Sequence, residues 1–339
     1  MDTSSAPGIA ALASFLPERV LTNEELYARF QYEPGFLERK IGIERRYVCG
    51  PDEAVSDLAV GAARKLFESG AARPDEIDLL VVCTQNPDYK LPTTANLVQQ
   101  RLGIPTTCAA FDINQGCSGY VYGLSIASAM MSANGFRAAL LITADAYSKV
   151  LDPTDRDTLP LFGDGAAATL LRPGGIGRLE RASLGSDGAG ANELIVRGGG
   201  SRHPGVEGRE DRLRMNGRAI FNFMMRQAPR SVDQCLRLNG IARDSVDVFI
   251  FHQASRYMLE SLRTALKLDP ERAPIVLENG GNTVSSTLPM AMEKLGGLEA
   301  LAGKRVLLCG FGVGLSWGSI LVTIGRGEPG HGPPQELPR

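Results

Sequence analysis

Short apolar runs alternate along this chain with longer segments of helical periodicity, and this alternation restricts the fold more than any other feature. Turn residues bound the apolar runs, which have the length of buried strands in a parallel sheet. Strands are expected at residues 79–83, 139–143, 248–251 and 306–308. Helices are expected at residues 56–69, 118–133, 219–236 and 256–266. Alternating elements of these two kinds predict an α/β sheet that is covered by helices on both faces.

A weak internal repeat suggests that the chain consists of two similar halves. Residues 76–82 resemble residues 245–251, and a second strand preceded by a basic residue follows each of them at nearly the same distance. A duplicated βαβ-type architecture would produce this pattern. We therefore expect an N-terminal half over residues 1–172, a C-terminal half over residues 173–325 and a flexible tail over residues 326–339.

The composition is that of a globular protein and argues against several functions. The 339 residues are 43% hydrophobic and 22% charged, with a formal net charge of −2. Nothing therefore indicates a general attraction to nucleic acid or to a membrane surface. The N-terminal residues lack the pattern of a signal peptide, and no apolar run is long enough for a spanning helix.

Cysteine and histidine usage restricts the chemistry further. The six cysteines contain no C-x-x-C pair, which is typical of a reducing compartment, so a cytoplasmic location is expected. The three histidines, at positions 203, 252 and 331, lack metal-ligand spacing, so no metal site is expected.

Cys117 is the first candidate for chemistry. It follows an expected strand and precedes an expected helix in the run FDINQGCSGY. The partial positive charge at a helix N-terminus favours a thiolate, and Gly116 and Gly119 permit close approach of the backbone to a bound group. An isolated cysteine is more often a small packing residue. The strand–turn–helix context favours a nucleophile.

His252 and Asn282 are the other two candidates. His252 ends the apolar run 248–251, and side chains at the carboxyl end of a parallel strand face the crevice where such sheets bind ligands. The alternative is a buried, hydrogen-bonded histidine. Asn282 follows two glycines, which is typical of a turn or a helix cap. In a duplicated fold, however, Asn282 and Cys117 would occupy related helix starts near a shared axis.

Five motifs in order resemble those of the β-ketoacyl-acyl-carrier-protein synthase III family. They are FDINQGCSGYVYGL, DPTDRDTLPLFGDGAAATLL, FHQAS, ENGGNTVSS and GFGVGLSWGS. The resemblance extends over nearly the whole chain, from about residue 7 to residue 325. It implies a thiolase-like, five-layered αβαβα fold that forms a homodimer, with Cys117, His252 and Asn282 as the catalytic triad.

The resemblance also implies a reaction. Cys117 would take a starter acyl group from a thioester. His252, as a neutral imidazole, and Asn282 would donate hydrogen bonds to the enolate that forms when a malonyl thioester loses carbon dioxide. The backbone amides of Cys117 and Val313 would form the oxyanion hole, although the family usually has glycine at the position of Val313.

Substrate binding is expected at five residues. Family members of primary fatty-acid synthesis bind coenzyme A with a tryptophan and an arginine. At the corresponding positions this chain has Phe36 and Lys40. Phe36 and Arg156 are expected to hold the adenine ring between them, and Lys40 is expected to meet a phosphate. Phe162 and Leu91 are also assigned to substrate binding.

The expected protein is therefore a β-ketoacyl synthase III-like acyltransferase that uses an acyl-coenzyme A and a malonyl thioester, together with acyl carrier protein. It would need no cofactor beyond the coenzyme A thioester as substrate. The alternative is a thiolase-fold acyltransferase that passes the acyl group to an amine or hydroxyl without condensation. A degradative thiolase is disfavoured, because Cys309 is one position out of place for the second catalytic cysteine. The starter chain, its carrier, the extender and the pathway, whether primary fatty-acid synthesis or a specialised route, are left open.

Overall fold

The computed structural model describes residues 6–205 and 211–326. His331 and all of the expected tail except residue 326 lie outside the described residues. The strands are β1 Pro7–Phe15, β2 Arg19–Thr22, β3 Arg45–Val48, β4 Leu79–Cys83, β5 Ala109–Ile113, β6 Ala139–Asp145, β7 Gly165–Pro173, β8 Gly177–Leu179, β9 Ser183–Ser186, β10 Leu194–Val196, β11 Leu213–Met215, β12 Val248–Phe251, β13 Asn279–Gly280, β14 Arg305–Gly312 and β15 Ser316–Ile324. The helices are α1 Asn23–Arg29, α2 Val55–Glu68, α3 Thr94–Leu102, α4 Gly119–Asn134, α5 Gly217–Asn239, α6 Arg256–Leu266, α7 Thr287–Lys294 and α8 Gly297–Ala300.

All four expected strands and all four expected helices are present. Strands β4 and β12 and helix α6 have the expected bounds, and the other helices differ by one to three residues at their ends. Strands β6 and β14 are longer than expected, ending at Asp145 and Gly312. Both strands extend mainly at their carboxyl ends, because their antiparallel pairing with β7 and β15 continues past the apolar run into the region of the candidate site.

The main sheet has two wings with matching strand order. In the N-terminal wing, β4 pairs in parallel with β6, and β6 pairs antiparallel with β7. In the C-terminal wing, β12 pairs in parallel with β14, and β14 pairs antiparallel with β15. Strand β8 joins the wings by pairing with both β1 and β15. The topology is consistent with the two similar halves that the internal repeat suggested.

Helices form three layers around these two wings. Helices α2 and α3 cover the outer face of the N-terminal wing, and α5 and α6 lie on the outer side of the C-terminal wing. Helices α4 and α7 lie between the wings and contact strands of both. Alternate residues of β4 face different cores, with Leu80 and Val82 directed to α2 and α3 and Leu79 and Val81 to the central helices. The result is the expected αβαβα order of five layers.

The helices of the described residues are too short or too polar to cross a membrane.

Candidate active site

Cys117 lies in the turn between β5 and α4, where its side chain is only 5% exposed. Strand β14 packs directly on this turn. A Cβ atom at Gly310 would lie 2.5 Å from the carbonyl oxygen of Cys117, and one at Gly312 would lie 2.9 Å from its Sγ. Only glycine leaves room for so close an approach. The C-terminal half of the chain thus fixes the position of a cysteine that the N-terminal half supplies.

His252 follows the last residue of β12, as the sequence predicted. Its backbone N–H donates to the carbonyl oxygen of Cys309 at 2.8 Å, which extends the pairing of β12 with β14. The imidazole meets the ring of Phe311 edge to face, with 5.5 Å between ring centroids. Its Nδ1 lies 2.7 Å from the hydroxyl oxygen of Thr287 at the start of α7. With Nδ1 engaged in this contact, Nε2 is the nitrogen left for a substrate.

Asn282 lies in the turn that precedes α7. Its backbone is held on both sides, because Asn282 N–H donates to the carbonyl of Leu161 and Gly163 N–H donates to the carbonyl of Asn282, each at 3.0 Å. The side-chain Oδ1 accepts the N–H of Val284 at 2.9 Å. The amide oxygen is therefore used within the turn, and the NH₂ group is the donor that can serve a ligand.

The three predicted residues line one cavity. Cys117, His252 and Asn282 surround a space of about 130 Å³, although they come from three distant segments of the chain. The rest of the wall is mainly apolar and includes Phe162 and Phe311. A small, largely apolar chamber with a thiol, an imidazole and an amide at its wall has the groups that covalent acyl transfer needs.

Burial favours the neutral forms of Cys117 and His252 in this chamber. Burial lowers the pKa of His252 to about 3, so the imidazole is uncharged at any working pH. Burial also raises the pKa of the Cys117 thiol, and the carboxyl group of Asp145 acts in the same direction. Burial thus opposes the thiolate that the partial charge of the helix N-terminus favours.

Asp145 is a buried residue at this site that the sequence analysis missed. It ends β6 and is 0% exposed. Its Oδ1 accepts the backbone N–H of Gln85 at 2.8 Å, and its Oδ2 accepts the hydroxyl of Ser285 at 2.9 Å. These contacts tie the end of β4 to the turn that carries Asn282. A charged residue directly after an apolar strand was the signal in the sequence that could have identified it.

Val313 follows the last residue of β14, next to the turn that holds Cys117. A Cβ atom at Gly116 would lie 2.3 Å from Cγ1 of Val313. The carbonyl oxygen of Val313 accepts the hydroxyl of Ser316 at 2.7 Å, which fixes this loop. The two residues with the predicted oxyanion-hole amides, Cys117 and Val313, thus belong to adjoining segments.

The assigned substrate-binding residues Phe162 and Leu91 lie in different surroundings. Phe162 is 4% exposed, pairs with Asn282 through a backbone bridge and packs its ring against Tyr147 at 5.0 Å. It lines the cavity that Cys117, His252 and Asn282 surround. Leu91 is 87% exposed and contributes nothing to that cavity within this chain.

Tyr32 contacts both residues that were expected to hold an adenine ring. The Tyr32 ring stacks on Phe36, with 5.6 Å between centroids and 5° between planes. The guanidinium of Arg156 lies over the same Tyr32 ring at 5.0 Å, and the Tyr32 hydroxyl donates to the Arg156 carbonyl at 2.5 Å. Lys40 lies over the ring of Tyr257 at 4.7 Å. A base that stacks on Phe36 and Arg156 would therefore have to displace Tyr32.

The remaining chemistry-bearing side chains lie elsewhere. Cys309 is 0% exposed and belongs to the core beneath α5, so it does not offer a second thiol to the cavity. Among residues 6–205 and 211–326, no three side chains of His, Cys, Asp or Glu cluster as a metal site requires.

Comparisons with known proteins identify the family of this chain. Residues 111–188 match the family model described as 3-Oxoacyl-[acyl-carrier-protein (ACP)] synthase III, and residues 236–324 match the model of its C-terminal part. The β-ketoacyl-[acyl-carrier-protein] synthase III of Rhodospirillum centenum is 38% identical, with coverage of 93% of this chain and 98% of that protein. The enzyme of that name from Caldanaerobacter subterraneus subsp. tengcongensis is 34% identical, with coverage of 94% and 97%.

A solved structure gives the same result. A crystal structure of a 3-oxoacyl-(acyl-carrier-protein) synthase III is 42% identical and superimposes with a TM-score of 0.90, covering 94% of this chain and 100% of that one. The chain therefore belongs to the β-ketoacyl-[acyl-carrier-protein] synthase III family of condensing enzymes.

Proposed function

We propose that this protein loads a starter acyl group on Cys117 and condenses it with a malonyl thioester, releasing carbon dioxide. The observation that carries the proposal is the single cavity lined by Cys117, His252 and Asn282. In the first half-reaction, Cys117 Sγ forms a bond to the acyl carbon. The thioester C–S bond of the donor breaks, and its sulfur leaves as a thiol with the proton of Cys117.

The second half-reaction forms the carbon–carbon bond. The bond between the malonyl carbon and its carboxylate breaks, and the electron pair remains on the thioester as an enolate. The enolate carbon attacks the acyl group on Cys117, the bond to Sγ breaks, and the thiol is restored by a proton. His252 and Asn282 would stabilise the enolate as neutral donors, and the N–H groups of Cys117 and Val313 would stabilise the oxyanion on the acyl carbon.

The substrates are proposed from the family and from the cavity. The named relatives are β-ketoacyl-[acyl-carrier-protein] synthases, which supports an acyl carrier protein as carrier of the malonyl group. We assign an acyl-coenzyme A as starter donor, with Phe36, Lys40 and Arg156 at the mouth. A priming β-ketosynthase of the R1128 polyketide pathway is 26% identical, with a TM-score of 0.86 and coverage of 94% of this chain and 96% of that one. Both fatty-acid initiation and a specialised pathway therefore fit the proposal.

A homodimer is proposed from the edge of the main sheet. Strand β5 is the edge strand of the N-terminal wing, and its five residues are only partly buried although their sequence is mostly apolar. Unpaired edges of this kind favour pairing with another strand. Tyr89 and Leu91, at 62% and 87% exposure, lie on the loop after β4 next to that edge. A second copy would cover both features and would give Leu91 a route to substrate binding.

Two further expectations remain part of the proposal. We divide the chain into an N-terminal half over residues 1–172 and a C-terminal half over residues 173–325, because the two wings have matching strand order. We place the protein in the cytoplasm, because all six cysteines are free and buried, as is usual in a reducing compartment.

Two measurements on one sample test the proposal. Intact mass after incubation with an acyl thioester should rise by one acyl group, and the increase should be lost in Cys117→Ala. Addition of a malonyl thioester should then release carbon dioxide and remove the acyl group from the protein. Acyl transfer to an amine or hydroxyl without release of carbon dioxide would establish the rival acyltransferase. Recovery of the acyl group on Cys83 or Cys309 would refute the assignment of Cys117 as the nucleophile.

A further inference from the structure

A second cavity adjoins the catalytic cavity and has a different wall. It encloses about 320 Å³ and shares Tyr147 and Leu194 with the chamber around Cys117. Val313 and Gly314 also line it, directly after the strand that supports Cys117. Because the two cavities share these wall residues, the second one lies next to the chamber of about 130 Å³ that would hold an acyl group on Cys117.

The wall nearest to Cys117 is polar. A Cβ atom at Gly116 would lie 2.6 Å from Oε1 of Gln85, so the Gln85 amide lies against the residue that precedes the nucleophile. Gln85 Oε1 accepts the hydroxyl of Tyr147 at 2.7 Å. Gln85 Nε2 has a longer contact of 3.4 Å with Oδ1 of Asn114. All three side chains line the second cavity.

The hydrogen-bonding capacity of this wall is only partly used. The Tyr147 hydroxyl donates its hydrogen to Gln85, and its oxygen can still accept a hydrogen bond. Gln85 Nε2 has two N–H groups, and its contact with Asn114 employs one of them at most. An apolar acyl chain that covered these groups would remove them from water without replacing the lost hydrogen bonds, which is unfavourable.

The described part of the same wall is uncharged. Of residues 6–205 and 211–326, none that lines the second cavity is Asp, Glu, Lys, Arg or His. Burial raises the pKa of Tyr147 well above its ordinary value, so its hydroxyl stays protonated. A carboxylate or ammonium group on the substrate would find no counter-charge among these described residues, whereas a hydroxyl or keto oxygen would find donors and acceptors. Apart from Asn86, the rest of the wall is apolar and accommodates the carbon chain; it includes Val150, Ile195, Val196 and Leu213.

We propose that Gln85 and Tyr147 determine starter specificity, and that they select a short acyl group that carries an uncharged hydroxyl or keto oxygen a few carbons from the thioester. This inference rests on the proposed function, because it requires acylation of Cys117. The substrate oxygen accepts from Gln85 Nε2, while Tyr147 holds the amide in the orientation that presents this donor.

Acylation of Cys117 from matched pantetheine thioesters tests the inference. Pantetheine lacks the nucleotide of coenzyme A, so the acylation rate does not depend on how the protein binds that nucleotide. The thioesters are butanoyl, 3-hydroxybutanoyl and 4-hydroxybutanoyl, and the rate is followed by intact mass. The wild-type protein should react about 10-fold faster with at least one hydroxylated thioester than with the butanoyl thioester.

Two variants and one control test whether Gln85 and Tyr147 cause this preference for a hydroxylated thioester. Gln85→Leu should reverse the preference toward the butanoyl thioester, and Tyr147→Phe should reduce it. Tyr122→Phe also deletes a hydroxyl, one that donates to the carbonyl of Gly185 and lines neither cavity, so it should keep the wild-type preference. Faster reaction of the wild type with butanoyl, or a preference that Gln85→Leu leaves unchanged, would overturn the inference alone. No acylation of Cys117 by any of the three thioesters would also overturn the inference, and the proposed function would fail as well if acyl-coenzyme A thioesters of other chain lengths left Cys117 unmodified.

Discussion

The hydroxyl oxygen of Thr287 lies 2.7 Å from Nδ1 of His252, in a buried contact between α7 and the end of β12. The same hydroxyl lies 3.0 Å from the carbonyl oxygen of Val284. Because a hydroxyl has one hydrogen, it can donate to only one of these acceptors. When it donates to Nδ1, the neutral imidazole carries its proton on Nε2 and can donate to a substrate oxygen.

Thr287→Val should therefore impair decarboxylation. The carbonyl of Val284 already hydrogen-bonds His252 and raises the pKa of this histidine, and without the competing hydroxyl we expect this acceptor to favour the tautomer with the proton on Nδ1. The proton would then leave Nε2, and the donor to the enolate would be lost. Carbon dioxide release from a malonyl thioester should fall about 100-fold, as for other lost oxyanion donors. Thr287→Ser keeps a hydroxyl and should retain most of the activity. Equal rates for the valine and serine variants would show that Thr287 does not set the tautomer.

Asn282→Ala should separate the two half-reactions. The variant keeps the thiol and the backbone amides, so acylation of Cys117 should continue. It loses the amide donor, so carbon dioxide release should fall by a factor on the order of 10² to 10³. Intact mass and carbon dioxide release are measured on the same protein. Asn279→Ala removes an exposed asparagine from the same segment and should change neither rate. Near wild-type condensation by Asn282→Ala would leave Asn282 as a turn residue only.

The order of strands and helices could be predicted from the sequence because buried strands and amphipathic helices have distinct periodicities. Residues 79–83 and 248–251 alternate between two cores in the structure, so every position is apolar and the run is easily recognised. The placement of Cys117 and His252 at element ends followed from the same pattern. Asn282 was accessible only through the resemblance, because an asparagine after two glycines is ordinary in a turn.

The partners of these residues could not be predicted, because they depend on contacts between distant segments. Thr287 lies 35 positions from His252, and Tyr32 lies 124 positions from Arg156. The burial of Cys117 could not be predicted for a related reason. The helix start is local and visible in the sequence, whereas the burial that raises its pKa results from the packing of β14 on the turn.

Asp145→Asn should make Cys117 more reactive at lower pH. Burial raises the pKa of Asp145 to about 7, and its negative charge above that pH raises the pKa of the Cys117 thiol. A neutral amide removes this repulsion. The pH profile for alkylation of Cys117 by iodoacetamide should shift down by about one pH unit. Asp112→Asn is the control. The Asp112 carboxylate accepts hydrogen bonds from the N–H groups of Thr94 and Ala95, and its replacement should leave the pH profile unchanged.

The same residue should make stability depend on pH. The pKa of Asp145 is higher in the folded protein than the ordinary 3.8, so folding favours its protonated form. Its contribution is fully present below about pH 3.8 and is lost as the pH rises through about 7. The free energy of unfolding of the wild type, relative to Asp145→Asn, should therefore decline between pH 4 and pH 8. Denaturant titrations at a series of pH values measure the difference. A constant difference over this range would show that Asp145 does not titrate with a raised pKa.

Tyr32 and Arg156 should have opposite effects on the use of an acyl-coenzyme A. If the adenine ring stacks on Phe36 and Arg156, Arg156→Ala should raise the KM for an acyl-coenzyme A about 10-fold, as expected for losing about 1.5 kcal/mol. The Tyr32 ring contacts both groups and has to leave before the base can stack. Tyr32→Ala should therefore lower that KM several-fold.

The ring of Tyr32 and its hydroxyl can be separated by a second variant. Tyr32→Phe keeps the stacking on Phe36 and loses only the hydrogen bond to the Arg156 carbonyl, so its KM should lie between those of the wild type and Tyr32→Ala. An acyl-pantetheine has no adenine, and its KM should be the same for all these proteins. If Arg156→Ala and Tyr32→Ala leave the KM for an acyl-coenzyme A unchanged, the stack of Phe36, Tyr32 and Arg156 is structural. The starter would then be expected on a carrier protein, whose phosphopantetheine arm does not need a site for adenine.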